Sequence, residues 1–386
     1  MRNRVILVTT LTIWLSSDAR AQEPITIGEK HVIRSEILDE DRTLWIYEPP
    51  IHARAGQSCP VLYLLDGDIH FHHTTGIVQF LAERDLIPEM IVVGIANTDR
   101  TRDLTPTPGD IGGQTRGGGA DRFLEFLTNE LHPWVDEHYQ ARPLRILVGH
   151  SFGGLFAVHA LRKVPNFFHG IIAISPSLQW TDQHEASQFE TWLDTQPEVQ
   201  GSLYITAANE GELLAGTYRL AGVLQKKAPT GLSWKFIHMP AENHGTIPHR
   251  TTYDGLEFLF ADWRLKDALT LFEAGGWSAV EGRLQKQRAR FGYESERSFN
   301  VVLGLLVQLF ESGRYEEMIT LLGDIDLTAY QFPSFLLNDL GSRLEKKSQP
   351  EHAKSLYGLA LEYDPKNEVA LERLKALRGQ DSPEKR

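Results

Sequence analysis

Short β-rich apolar runs alternate with amphipathic stretches from about Lys30 to Met239. The runs lie at His31 to Ile37, Leu44 to Tyr47, Val61 to Leu65, Ile91 to Ile95, Ile146 to Val148, Ile171 to Ile174, Leu203 to Thr206 and Trp234 to Met239. Such alternation predicts a mixed or parallel sheet covered by helices, and eight runs suffice for a complete central sheet. Between them, Asp121 to Tyr139 places Phe123, Phe126, Leu127, Leu131, Trp134 and Val135 at helical spacings, with Pro133 expected to kink the helix. Gly153 to Lys163 is apolar nearly all round, as expected for a helix buried beside the sheet. Thr105 to Gly119, rich in Thr, Pro and Gly, predicts a long surface loop near a functional rim.

Beyond about Trp263 only helical patterning remains. Leu340-Gly341, Ala353, Tyr357, Ala360 and Pro365 fall at the offsets of the tetratricopeptide consensus, where small residues let two antiparallel helices approach closely. Asn300 to Leu322, with Gly313-Arg314-Tyr315, reads as a degenerate copy, and Ser278 to Arg290 as one more helix. The expected organisation is therefore a signal peptide over residues 1–21, a catalytic domain over 22–264, a smaller all-α helical-repeat domain over 265–378 and a flexible tail over 379–386.

Composition narrows the partners. The 386 residues are 41% hydrophobic and 23% charged, ordinary for a globular protein, and 39 Lys and Arg against 51 Asp and Glu leave a net charge of −12. No basic face is visible, so a nucleic-acid partner is not expected. Arg2 and Arg4, the apolar stretch Val5 to Leu15 and Ala19-Arg20-Ala21 make the pattern of a secretory signal peptide. The apolar stretch is far shorter than the roughly 20 residues that span a bilayer, so the expectation is export to the periplasm or beyond with no stable membrane anchor. Residues 1–21 hold three arginines and one aspartate, so their removal takes the net charge to −14. Cys59, the one cysteine, cannot form an internal disulfide and is expected to pack beside a strand.

Gly149-His150-Ser151-Phe152-Gly153 matches the G-x-S-x-G nucleophile elbow, and it has the strand before it and the helix after it that the motif requires. A serine hydroxyl needs a positioned base. His244, in a polar loop after the last strand, stands where the chain order nucleophile, acid, histidine puts that base. The acid should follow the preceding strand; Glu210 comes first there, with Glu212 and Glu242 as alternatives. Two N–H donors must meet the developing oxyanion. Phe152 supplies one, and the turn Leu64-Leu65-Asp66-Gly67-Asp68 the other, from the Asp68 backbone. Asp66, Asp68, His70, His72 and His73 have metal-ligand chemistry, but their spacing matches no defined zinc motif, so neither metal nor organic cofactor is expected.

At these residues the chain resembles the esterase D branch of the α/β-hydrolase superfamily, which includes siderophore trilactone esterases, feruloyl esterases, S-formylglutathione hydrolases and mycolyltransferases. The resemblance covers roughly residues 28 to 262 and rests on Val61 to Gly67, Val93 to Asp103, Gly149 to Gly154 and His244-Gly245-Thr246. It implies an α/β-hydrolase fold with a mostly parallel sheet, Ser151 as nucleophile, His244 as base and Glu210 as acid. Arg100, Arg102 and Asp103 resemble a block at the functional edge of the sheet, read as an ion-pair network in which one arginine can meet an anionic substrate group. Trp180, after Ser175-Pro176-Ser177, is a candidate pocket wall or a packing residue. The expected activity is cleavage of small-molecule carboxylic esters through an acyl-enzyme. Acyl transfer from the same intermediate, or a helical-repeat scaffold with a vestigial hydrolase, are the alternatives, and the helical domain is a candidate surface for a protein partner or self-association.

Overall fold

The computed structural model describes residues 24–49, 58–139, 141–196, 198–211, 213–289, 291, 299–328 and 332–380. The expected signal peptide, Glu212 and most of the expected C-terminal tail lie outside these residues.

All eight expected strands form, and they form one sheet. In chain order they are β1 (Glu29–Ser35), β2 (Glu40–Tyr47), β3 (Val61–Leu65), β4 (Ile91–Ile95), β7 (Arg145–His150), β8 (Gly170–Ile174), β9 (Glu198–Ala208) and β10 (Thr230–Met239), with β5 (Pro108–Ile111) and β6 (Gln114–Gly117) apart from them. Across the sheet the order is β1-β2-β4-β3-β7-β8-β9-β10. The β1–β2 and β2–β4 pairings are antiparallel and the rest parallel. This is the α/β-hydrolase fold.

Alternation within a strand decides which layer each side chain joins. Val61, Tyr63 and Leu65 of β3 pack with Val93, Leu147, Ile171 and Leu203 in one buried cluster, while Leu62 and Leu64 pack with Val92, Val148, Ile172 and Tyr204 in another. The first layer is closed by α3 (Ala120–Phe126), α4 (His132–Tyr139), α5 (Phe152–Lys163), α6 (Trp180–Leu193) and α7 (Leu213–Lys227), the second by α1 (Gly67–Ala82) and α8 (Ile247–Leu259). A strand flanked by two dry layers has no polar side to offer, which is why β3 and β4 read as unbroken apolar runs.

Two expectations need correction. The helix expected over Asp121 to Tyr139 is interrupted by a π-helical turn, Leu127–Leu131, between α3 and α4. The turn ends just before Pro133, which has no N–H to continue the α-helical ladder. The loop expected over Thr105 to Gly119 is instead largely a β-hairpin: β5 and β6 pair antiparallel with Ile111 opposite Gln114. Gly112 and Gly113 at its tip both have positive φ, 62° and 82°, the combination that a two-residue hairpin turn demands.

Among the described residues beyond Leu265 every element is a helix: α9 (Ala268–Ala289, kinked at Gly275 and Gly276), α10 (Phe299–Glu311), α11 (Tyr315–Asp324), α12 (Ser334–Lys346), α13 (Pro350–Tyr363) and α14 (Glu368–Gln380). They bury a core of their own, including Trp277, Leu305, Met318, Phe332, Leu344, Ala353, Tyr357 and Ala360. Gly341 of α12 faces the Tyr357 ring of α13 so closely that an added Cβ would lie 2.8 Å from it. Arg288, 1% exposed, joins this region to the sheet domain: its guanidinium lies 3.3 Å from the centre of the Trp263 ring and 3.0 Å from Asp85. Among the described residues no helix is long and apolar enough to cross a membrane.

Candidate active site

Ser151 sits between β7 and α5 with φ 62° and ψ −116°, a conformation that costs a non-glycine residue energy and persists only where its surroundings enforce it. Those surroundings are specific. The Ser151 N–H donates to the Ile174 carbonyl at 2.9 Å, and its carbonyl accepts from the N–H groups of Leu155 and Ser177 at 2.9 and 3.0 Å. The steric demand of the elbow falls on Gly149, whose added Cβ would collide with the Gly153 carbonyl, and on Gly154, 2.9 Å from Pro176 Cα; Gly153 itself has ordinary room. Phe152 opens α5, so its backbone N–H has no acceptor within the helix and the dipole leaves that end partly positive.

Asp68 is the second residue of α1, in the first helical turn after Asp66, which has φ 54°. Its N–H likewise precedes the helical ladder, while its carboxylate turns towards Asn97, 3.3 Å from Nδ2. Arg100 ties the two turns together. It pairs with Asp66 through Nε and Nη2 at 2.6 and 2.9 Å, and Nη2 also donates to the His150 carbonyl at 3.1 Å. Asp66 is 1% exposed, so this two-pronged pair answers a buried charge. The guanidinium lies 5.4 Å from the Phe152 ring centre. Arg100 thus links the two turns that carry the expected oxyanion donors.

His244 follows β10 and is half-buried. Its Nδ1 lies 2.8 Å from Glu210 Oε1, and the Glu210 side chain is 4% exposed. That bond leaves Nε2 for other chemistry. Glu242, one of the alternatives, is engaged by the Thr246 hydroxyl at 2.7 Å; Glu212, the other, lies outside the described residues. The His244 ring packs on His150, the residue before the serine, with centroids 4.4 Å apart. Strand β7, the loop after β9 and the loop after β10 therefore meet at one place.

His150 begins a row of imidazoles: His150 to His70 at 5.5 Å, His70 to His73 at 5.2 Å, His73 to His249 at 5.4 Å between centroids. Burial, reinforced by His244 and His70, pushes the His150 pKa down to about 3. Burial also lowers His73 to about 4 and His70 below its ordinary value. His70 Nδ1 and His73 Nε2 are hydrogen-bonded at 3.1 Å. Among the described residues no three His, Cys, Asp or Glu side chains are arranged to hold a metal ion.

Arg102, read as a network member or a substrate contact, lies in the network. Its Nε donates to Asp103 at 2.7 Å and its Nη atoms to Glu40 at 3.0 and 2.6 Å. The buried Arg42 completes the group through Asp103 at 2.7 Å. The bonds from Arg102 hold Glu40 below the usual carboxylate range. With each nitrogen of its guanidinium committed to a carboxylate, Arg102 holds β2 to α2 (Arg100–Leu104) rather than facing a substrate. Trp180 stands edge-on to Phe152, centroids 5.1 Å apart, and its indole N–H donates to the Thr107 carbonyl at 2.9 Å. Gly109 of β5 lies against the same indole, so the hairpin rests on Trp180 beside the elbow.

The residue that sequence reasoning passed over is Ser177. Its hydroxyl lies 3.1 Å from Ser151 Oγ and it is 3% exposed. Ser175-Pro176-Ser177 follows β8, a neighbour of β7 in the sheet, but nothing in its local pattern marks a side chain aimed at the nucleophile.

Comparison with known proteins bears on the family and the fold. A family model described as a putative esterase matches residues 35–210. The ferri-bacillibactin esterase BesA of Bacillus subtilis is 32% identical over 175 residues, which cover 40% of this chain and 61% of that protein. The siderophore triacetylfusarinine C esterase of Aspergillus fumigatus is 34% identical over 143 residues, covering 34% of this chain and 49% of that one. The chain thus spans about half to three fifths of these curated relatives. A crystal structure of an IroE-like serine hydrolase from Shewanella oneidensis superposes with a TM-score of 0.62 at 27% identity, covering 87% of this chain and 99% of the other. An uncharacterised protein from Capnocytophaga ochracea shares the fold over 91% of this chain, with a TM-score of 0.63.

Proposed function

We propose that this chain belongs to the esterase branch of the α/β-hydrolase superfamily and hydrolyses carboxylic esters of small molecules through an acyl intermediate on Ser151. His244 Nε2 takes the Ser151 proton as Oγ attacks the ester carbonyl, and the imidazolium returns it to the leaving alkoxide. Glu210 fixes the tautomer with the proton on Nδ1 and stabilises the transient positive charge. The N–H groups of Phe152 and Asp68 receive the oxyanion. Water then enters on the leaving-group side, His244 acts again as base, and the acid departs.

The observation that carries this reading is the His244 imidazole, anchored on one face to the elbow through His150 and on one nitrogen to a buried carboxylate. The names of the two curated relatives point to ester-linked siderophores as the first substrates to try. Arg100, partly exposed beside Phe152, is the cation we assign to an anionic group on such a substrate. Residues 1–21 support export, and the separate helical core after Leu265 supports treating 265–378 as a unit distinct from the catalytic one.

The test is Ser151→Ala with p-nitrophenyl butyrate. Turnover should fall by about 10³-fold or more while the melting temperature is kept; near wild-type turnover would exclude Ser151 as nucleophile.

A further inference from the structure

The Ser151 hydroxyl has two demands on it. Its proton must go to His244 if the proposed mechanism holds, so any other group within hydrogen-bond reach of Oγ at that moment has to donate. Ser177 Oγ is such a group, at 3.1 Å.

We infer that Ser177 is a further catalytic residue, its hydroxyl donating a hydrogen bond to Ser151 Oγ while the bond between that oxygen and the acyl carbon forms and breaks. The inference rests on the reading of Ser151 as nucleophile.

Three features support it. A buried hydroxyl without a partner is costly, and among the described residues the Ser177 side chain has one hydrogen-bond partner, the nucleophile. An alanine would satisfy packing alone. Second, the donor is rigidly placed. The Ser177 N–H bonds the Ser151 carbonyl at 3.0 Å, the Ser175 hydroxyl accepts from the Ala208 N–H at 3.1 Å, and the Pro176 carbonyl accepts from Thr217 at 3.4 Å. Main-chain and side-chain bonds thus tether the same two residues to each other. Third, Ser175 has φ 39°, a strained value for a side-chain-bearing residue, and that bend brings the following Pro176-Ser177 back over the elbow.

In acylation the Ser151 proton passes to His244 Nε2, the bond from Oγ to the carbonyl carbon forms, and the Ser177 proton stays on its own oxygen. In deacylation the bond from Oγ to carbon breaks, Oγ takes the proton back from the imidazolium, and negative charge on the departing Oγ is met by the same donor. No proton is gained or lost by Ser177. A fixed donor aimed at an atom that carries charge only in the transition state lowers the barrier without binding the substrate more tightly.

Ser177→Ala, assayed with p-nitrophenyl butyrate, is therefore expected to lower kcat by about ten- to a hundred-fold, below the loss for a full oxyanion donor, with the melting temperature unchanged. Slower deacylation should also give a pre-steady-state burst of p-nitrophenol and a butyryl adduct on Ser151 by mass spectrometry. A kcat within two-fold of wild type in folded Ser177→Ala, alongside inactive Ser151→Ala, overturns the inference and leaves the nucleophile standing. An active Ser151→Ala instead removes the premise. Should Ser177→Ala not fold, Ser177→Cys, close in volume and a weaker donor, decides: a ten-fold loss of kcat supports the role and a wild-type rate rejects it.

Discussion

Glu210 Oε1 and His244 Nδ1 lie 2.8 Å apart, and the carboxylate is almost wholly shielded while the imidazole ring packs against the elbow residue His150. A buried acceptor on one ring nitrogen decides which nitrogen carries the proton.

Glu210→Gln keeps the shape but presents an amide that can donate to Nδ1 as well as accept from it. We expect kcat/KM for p-nitrophenyl butyrate to fall by about 10²-fold, short of the ~10⁴ seen when a triad carboxylate becomes an amide and the tautomer inverts. An unchanged rate would move the acid elsewhere, with Glu242→Gln the next variant to measure.

The imidazole row makes stability depend on pH. His150, His73 and His70 have folded-state values below those of an unfolded chain, so on acidification the unfolded chain takes up protons first. Their stabilising contribution is complete above the unfolded value of about 6.5 and is lost as pH falls towards 4 and 3. Each contributes at most about 1.4 kcal/mol per pH unit inside that window. Asp121 and Glu185, held low by hydrogen bonds from Lys163, His159 and Arg162 despite burial, add their own loss as pH falls through the ordinary carboxylate range and below it. Thermal unfolding between pH 7 and 5 should thus show a falling midpoint, and His150→Phe should flatten the slope. Equal slopes would mean that His150 charges as readily folded as unfolded.

Arg288 is buried against the face of Trp263 and pairs with Asp85, whose carboxylate also accepts the Trp263 indole N–H at 3.1 Å. Arg288→Ala removes the cation from both partners, and we expect a loss of about 3 kcal/mol in urea unfolding. A loss under about 0.5 kcal/mol, the size of an exposed pair, would show that the helical region is held to the sheet by other contacts.

Much of the sheet was legible because burial on both faces leaves only apolar residues to read: β3 and β4 have the bounds that their five-residue runs predict. Strands β9 and β10 run longer than expected because in their first halves, Glu198 to Ser202 and Thr230 to Ser233, only Val199 and Leu232 join the core and the rest is polar or glycine, so hydrophobicity gives little signal. The β5–β6 hairpin was hidden by exposed strands; Gly112-Gly113 was its one local mark. The strained turn at Ser151 was readable from its glycines, and the meeting of His244 with Glu210 was expected from chain order. Ser177 was not, because its nearness to Ser151 follows from β8 lying beside β7, a pairing that no local pattern states.

The central claim is that one hydroxyl, Ser151, is made nucleophilic by an imidazole from a distant loop. Labelling with a fluorophosphonate probe, read by intact mass and peptide mapping, tests it most directly. The wild-type protein should gain a single adduct on Ser151, His244→Ala should label at least about 10²-fold more slowly, and Ser151→Ala should not label. Folded wild-type protein that takes no label, or takes it at another residue, would contradict the account.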